Sequence, residues 1–186
     1  MNLEDINSVL IIGIGGGLAK ITAGLISTKY PHIKITGVDS RAVKHDIKNE
    51  NLEIKTIKYT RGNFEKLFRD TSYDVVFHLA RMSHAGTSTN SHLAKRLDLN
   101  IMGTSRILDL SLKFGAKKVV ILSTHHVYGA LADNPVYIKE DAALKASIKY
   151  PELRDVTEMD QLATNWMWKN QKEIETMVLR PCNNIG

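Results

Sequence analysis

The stretch Leu10-Ile-Ile-Gly-Ile-Gly-Gly-Gly-Leu-Ala19 constrains this chain more than any other part of it. An apolar run of strand character breaks into glycines at the point where a helix begins. Such a turn aims unpaired N–H groups and the positive end of the helix dipole at an anion, and a dinucleotide diphosphate is the ligand it commonly serves. A second apolar run, Ile33 to Val38, ends in Asp39. That is about twenty residues further on, where an acidic side chain can accept hydrogen bonds from an adenosine ribose. Strict GxGxxG spacing from Gly13 would need glycine where Leu18 stands. GxxGxxG spacing fits better, with Gly13, Gly16 and Ala19 in the three places. Gly13 then makes the tight turn, Gly16 lets the phosphates approach the backbone, and Ala19 packs the helix on the sheet. A glycine cluster alone is equally what any strand-to-helix turn needs. Asp39 at the right distance favours the dinucleotide reading.

The rest of the chain alternates short apolar runs with longer amphipathic ones. Strands are predicted at 9–13, 33–39, 52–57, 74–80, 118–123 and 176–180, and helices at 16–28, 63–69, 91–114 and about 155–171. In the third helix Leu93, Leu97, Ile101, Leu108 and Leu112 recur at helical spacing, and Gly115 is a natural stop. This order predicts an α/β fold, a doubly wound parallel sheet with helices on both faces and right-handed crossovers. The stretch from Tyr128 to Pro151 is long and irregular, as functional loops often are.

Composition narrows the function. A chain of 186 residues with 43% hydrophobic and 24% charged residues is an ordinary single globular domain. The net charge of +5 is spread without a basic block, so nucleic-acid binding is not indicated. Cys182 is the one cysteine, which excludes an internal disulfide and suits a reducing compartment. The acidic N-terminus lacks a signal-peptide layout, and the longest apolar run is too short to span a bilayer. A cytoplasmic protein is expected.

Four further segments carry a resemblance. Asp74-Val-Val-Phe-His-Leu-Ala80 is similar to the fourth strand of the extended short-chain dehydrogenase/reductase family, the NAD-dependent epimerases and dehydratases. Asn100-Ile-Met-Gly103-Thr104 resembles that family's Asn-x-x-Gly-Thr. Ser123-Thr-His-His-Val-Tyr-Gly129 resembles its SSxxVYG, or STDEVYG in dTDP-glucose 4,6-dehydratases. Leu179-Arg180-Pro181 resembles the sixth-strand ending. The resemblance covers nearly the whole chain in the right order. It implies a Rossmann-type cofactor domain in which Gly13, Gly16, Gly17 and the backbone of Leu18 cradle the diphosphate. It also implies that Asp39 with Ser40 meets the adenosine ribose, favouring NAD, while Arg41 keeps NADP open. Asn63 and Phe64 are expected beside adenine. Leu79, Ala80, Arg81, Asn100, Ser123 and Pro181 are expected along the rest of the cofactor, with Arg81 in place of a small residue. Ordinary strand packing is the plain alternative for Leu79 and Ala80.

The catalytic part of the resemblance is weaker. In the family a Tyr removes the substrate hydroxyl proton, a Lys four residues later lowers its pKa and holds the nicotinamide ribose, and a Ser or Thr polarises the same oxygen. Thr124 fits the last role, but no Tyr-x-x-x-Lys occurs. One register places Tyr150 and Arg154 in the pair, with Glu158 as the family's following acid. The other places Glu152 and Val156 there, with Asp160 as the acid. His125 and His126, adjacent on an extended segment, would point to opposite sides, so no metal site is expected and a loop role is favoured.

The chain ends at Gly186, where members of the family continue into a smaller substrate domain. The resemblance therefore implies that residues 1–186 are the NAD(P)-binding domain and that the smaller domain is absent from this chain. Two functions stay open. One is a nucleotide-sugar epimerase or dehydratase with a degenerate Tyr-x-x-x-Lys pair. The other is a non-catalytic dinucleotide-binding module that serves structure or sensing. A homodimer through helices 91–114 and 155–171 is expected, because Trp166 and Trp168 point to different sides of one helix.

Overall fold

A computed structural model describes residues 5–43, 50–82 and 90–182. Six parallel strands form one sheet in the order β3-β2-β1-β4-β5-β6, with β1 at Ser8–Ile12, β2 at Lys34–Asp39, β3 at Leu52–Thr56, β4 at Val75–His78, β5 at Lys118–Leu122 and β6 at Glu175–Leu179. The order reverses between β1 and β4, which opens a crevice at the carboxyl ends of those two strands. Ile12 at the end of β1 is level with Val38 on β2 and His78 on β4, so the three strand tips stand in one row.

The strands are apolar on both faces because both faces are covered. Leu10 and Ile12 point to the side of α2 (Arg61–Asp70), α4 (Thr104–Lys113) and α6 (Arg154–Asn170), where they join Phe68, Ile107, Leu108 and Ala163. Val9 and Ile11 point to the other side and meet Ala19 and Ala23 of α1 (Gly17–Lys29). Ala19 is 1% exposed, and its small side chain lets α1 lie close to the sheet. The predicted strands and helices match the observed ones to within a residue or two.

The single helix predicted over 91–114 is three consecutive pieces. α3 (Asn90–Leu97) runs into a π-helical turn over Asp98–Gly103, and α4 follows. The widened turn places the buried side chain of Asn100 on the backbone beyond β4, where it accepts from Met82 N at 2.9 Å and donates to Met82 O at 3.1 Å. Hydrophobic periodicity cannot show such a widening, since an extra backbone residue only shifts the stripe. The side chain of Leu93 and the chain end at Gly186 lie outside the described residues. The irregular stretch before α6 contains α5 (Ala146–Lys149) and a 3₁₀ turn at Pro151–Leu153.

His78 closes β4 and is 2% exposed, with Nε2 3.1 Å from Thr104 Oγ1. Burial pulls its pKa from 6.5 down to about 4. Between those values the unfolded chain takes up a proton that the folded chain refuses. The stability this site contributes is complete above pH 6.5 and is lost as the pH falls toward 4, by about 3 kcal/mol in all. Urea unfolding at pH 7.5 and 4.5 should show that loss, and His78→Asn should reduce it. An equally steep fall in the variant would place its origin elsewhere.

Candidate cofactor site

The glycine turn is built by close approach. Gly13 has φ +88°, and a Cβ there would lie 2.7 Å from the Ala80 Cα, so only glycine fits. Its N–H and that of Ile14 both donate to Val38 O, at 2.8 and 3.1 Å, which ties the turn to β2. Gly16 is the N-cap of α1 and no side chain caps it. Nothing lies within 4 Å of a Cβ built on Gly17, and Leu18 is 37% exposed. The first N–H groups of α1 therefore face open space, as an anion cradle requires.

Asp39 is at the tip of β2 and is only 6% exposed. One carboxylate oxygen accepts from Gly15 N at 3.0 Å and the other from Arg41 N at 3.1 Å. Each oxygen keeps further lone-pair capacity for a ribose hydroxyl. Gly15 has no place in the GxxGxxG spacing, yet it is fixed by this contact: a Cβ on it would lie 2.8 Å from Asp39 Oδ2. Ser40 and Arg41 are exposed beside the carboxylate.

Asn63 and Phe64, expected beside adenine, stand on α2. Both lie in the first turn of α2, where Phe64 is buried and Asn63 donates its amide to Lys58 O at 3.0 Å. The residues next to Asp39 are instead Ile57, which donates its N–H to Asp39 O at 2.9 Å, and Tyr59. Burial first and the Asp39 charge second raise the Tyr59 phenol above its ordinary value, so it stays neutral. The Tyr59 ring meets Phe64 edge-on at 5.2 Å. α2 begins at Arg61, two residues before the predicted start, because Thr60 caps it and accepts from Asn63 N at 3.3 Å.

The middle of the crevice holds Leu79 and Ala80. Leu79 is buried with the α1-side core, and the Ala80 backbone lies against Gly13. Arg81 follows, half-buried. Burial lowers its pKa, and the Asp155 charge acts in the opposite direction. Asp155 is 2% exposed; it accepts from Arg96 Nη2 at 2.6 Å and from Asn100 Nδ2 at 2.6 Å.

Thr124, at the exit of β5, is 5% exposed and caps a 3₁₀ turn, accepting from His126 N at 3.4 Å. Its hydroxyl proton remains for another acceptor. The turn corrects the expectation of an extended His125–His126 segment: the two rings lie side by side, centroids 4.1 Å apart and planes tilted by 57°. His125 Nδ1 is 3.0 Å from Pro181 O, so Nδ1 carries the hydrogen and Nε2 is the basic nitrogen of the neutral ring. Ser123 donates to Asp160, which is fully buried and ion-paired with Arg180 at 2.7 Å.

The structure separates the two catalytic registers. Arg154 turns outward, its side chain 70% exposed and paired with Glu158 at 2.6 Å. Tyr150 donates to Ala130 O at 2.8 Å. The buried acid beneath β5 is Asp160, on the same face of α6 as Val156, which is 4% exposed among apolar side chains. The Glu152/Val156/Asp160 register has its acid buried beside Arg180, whereas Arg154 of the Tyr150/Arg154 register stands in solvent. Tyr150 and Glu152 both line an open cleft of about 1250 Å³ with His126, Tyr128 and Arg180. Among the described residues no helix is long and apolar enough to cross a membrane.

Strand order, turn and acid define a dinucleotide-binding α/β domain of the doubly wound class. The sequence profile of the NAD dependent epimerase/dehydratase family matches residues 9–186, and the chain belongs to that family. A dTDP-D-glucose 4,6-dehydratase of Dictyostelium discoideum is 29% identical over 141 residues, covering 70% of this chain and 32% of the relative. UDP-glucose 4-epimerase 3 of Oryza sativa subsp. japonica is 30% identical over 130 residues, covering 68% of this chain and 32% of the relative. The crystal structure of dTDP-glucose 4,6-dehydratase from Bacillus anthracis with NAD superposes with a TM-score of 0.77 at 20% identity, over 97% of this chain and 56% of that one. UDP-glucose 4-epimerase from Brucella ovis with NAD gives 0.77 at 19% identity, over 95% and 52%. The chain thus spans about a third of the curated relatives' length and just over half that of the solved structures.

The two registers differ in what mutation does. Asp160→Ala strands the Arg180 cation, 16% exposed, beside an emptied pocket and should cost about 3 kcal/mol or more in chemical unfolding. Arg154→Ala should leave the unfolding midpoint within error. A large loss at Arg154 with none at Asp160 would reverse the assignment.

Proposed function

We propose that this chain is the NAD-binding domain of an enzyme that acts on a nucleotide-sugar by hydride transfer. The observation that carries the reading is the joined geometry of Gly13, Gly15 and Asp39: a glycine that no other residue can replace, a second packed on the carboxylate, and a buried carboxylate that closes one end of an open helix N-terminus. In this reading the N–H groups of Gly17 and Leu18 bind the diphosphate. Asp39 accepts from the adenosine ribose, and its charge disfavours a 2′-phosphate. Tyr59 and Ile57 stand nearer this end than Asn63 does. When bound, NAD supplies the acceptor and donor for a hydride. Thr124 offers its hydroxyl to a substrate oxygen, and the Ser123–Asp160–Arg180 network holds the β5 exit on which Thr124 stands.

The relatives named as a dTDP-D-glucose 4,6-dehydratase and UDP-glucose 4-epimerases support a nucleotide-sugar as the substrate class. With Glu152 and Val156 in the places of Tyr and Lys, the proton-transfer pair is degenerate. Turnover by this chain is then slow compared with its relatives. We also infer a homodimer. Trp166 is tied to α4 through Nε1 and Asp109 at 3.0 Å, which leaves Trp168, 62% exposed on the other side of α6, as a contact for a second copy.

Calorimetric titration should show NAD(H) bound more tightly than NADP(H). Asp39→Ala should weaken NAD binding about tenfold or more and narrow the difference between the two cofactors. No heat with either cofactor would overturn the reading. Binding without turnover of any UDP- or dTDP-sugar would mark a non-catalytic dinucleotide module instead. Light scattering at micromolar concentration should give twice the 20.8 kDa chain mass, and a monomeric mass would remove the dimer.

A further inference from the structure

We propose that Arg81 sets the redox preference of the bound cofactor: its cation stands at the nicotinamide end of the crevice and favours the neutral reduced ring over the cationic oxidised one. This rests on the dinucleotide reading above. Strand order provides the placement. Asp39 ends β2, the glycine turn ends β1, and β4 lies on the far side of β1. A dinucleotide held by its adenosine ribose at Asp39 and by its diphosphate over the turn continues across the tips of β4 and β5. Ala80 is the residue packed on Gly13, and Arg81 is the next one along.

Arg81 is also fixed from behind. The N–H and C=O of Met82 are held at 2.9 and 3.1 Å by the buried Asn100, so the backbone is anchored immediately after Arg81. The carboxylate that acts on it, Asp155, is already engaged. Arg96 donates to both Asp155 oxygens, at 2.6 and 3.3 Å, and Asn100 donates at 2.6 Å. Arg96 thus neutralises Asp155, which leaves the charge of Arg81 in excess at the crevice. Val156, next along α6, adds none. Oxidised nicotinamide is cationic and the reduced ring is neutral, so this excess charge separates them. Even at about 10 Å, in a medium of effective dielectric about 20, one unit charge changes an equilibrium constant roughly tenfold.

The test is the ratio of dissociation constants for NAD⁺ and NADH, measured by quenching of protein fluorescence. Wild type should bind NADH roughly tenfold more tightly. Arg81→Lys should keep that ratio. Arg81→Gln, or Arg81→Met if the glutamine variant does not fold, should bring it close to one. A wild type with no preference for NADH overturns the inference, as does an uncharged variant that keeps the preference. A wild type that binds neither form overturns the cofactor reading itself, and the two failures are distinct.

Discussion

The crevice depends on one close approach, the backbone of Gly13 against the backbone of Ala80. A side chain on Gly13 would come within 2.7 Å of Ala80 and force β1 and β4 apart at their tips. With glycine there, the turn folds back onto β2 through Val38 O, Gly15 comes within hydrogen-bond distance of Asp39, and α1 starts with its N–H groups clear of any side chain. The same approach brings the β4 exit, and with it Arg81, to the edge of the crevice. A dinucleotide site is mostly backbone in this chain, and its precision comes from where side chains are missing.

The other half of the site is organised by two buried ion pairs on α6. Asp160 joins Ser123 to Arg180, whose guanidinium continues to the Tyr128 hydroxyl at 2.7 Å and to Glu140 O at 2.7 Å. Asp155, one turn earlier, joins Arg96 and Asn100. Together they tie the exits of β4, β5 and β6 to one helix. Such pairs add little net stability over apolar packing, since each charge must be desolvated. Their geometric demand is strict, however, and a helix shifted by one residue would break both at once. α6 is thereby held in a single register against the sheet.

The fold was legible in the sequence because the central strands β1, β2, β4 and β5 are mostly buried and read as apolar runs. Gly13, Asp39 and Ser123-Thr124 were legible because their chemistry needs particular residues at particular distances. Three features were not. The π-helical turn at Asp98–Gly103 serves a hydrogen bond to Met82, a partner far away in sequence. Gly15 answers to Asp39 across the crevice, so spacing within the turn says nothing about it. The register of α6 rests on which acid is buried, and Glu158 and Asp160 look alike until Arg180 selects one of them.

That selection decides the chemistry available at the substrate end. With Asp160 buried, the helix presents Val156 to the apolar cluster of Val127, Leu153 and Met159, and an ammonium at this place would need a partner the cluster does not contain. Arg154, the cation nearest in sequence, is held in solvent by Glu158. The positive charge near the β4 exit is instead carried by Arg81, which feels the Asp155 charge, and by Arg96 of α3, which is ion-paired with Asp155.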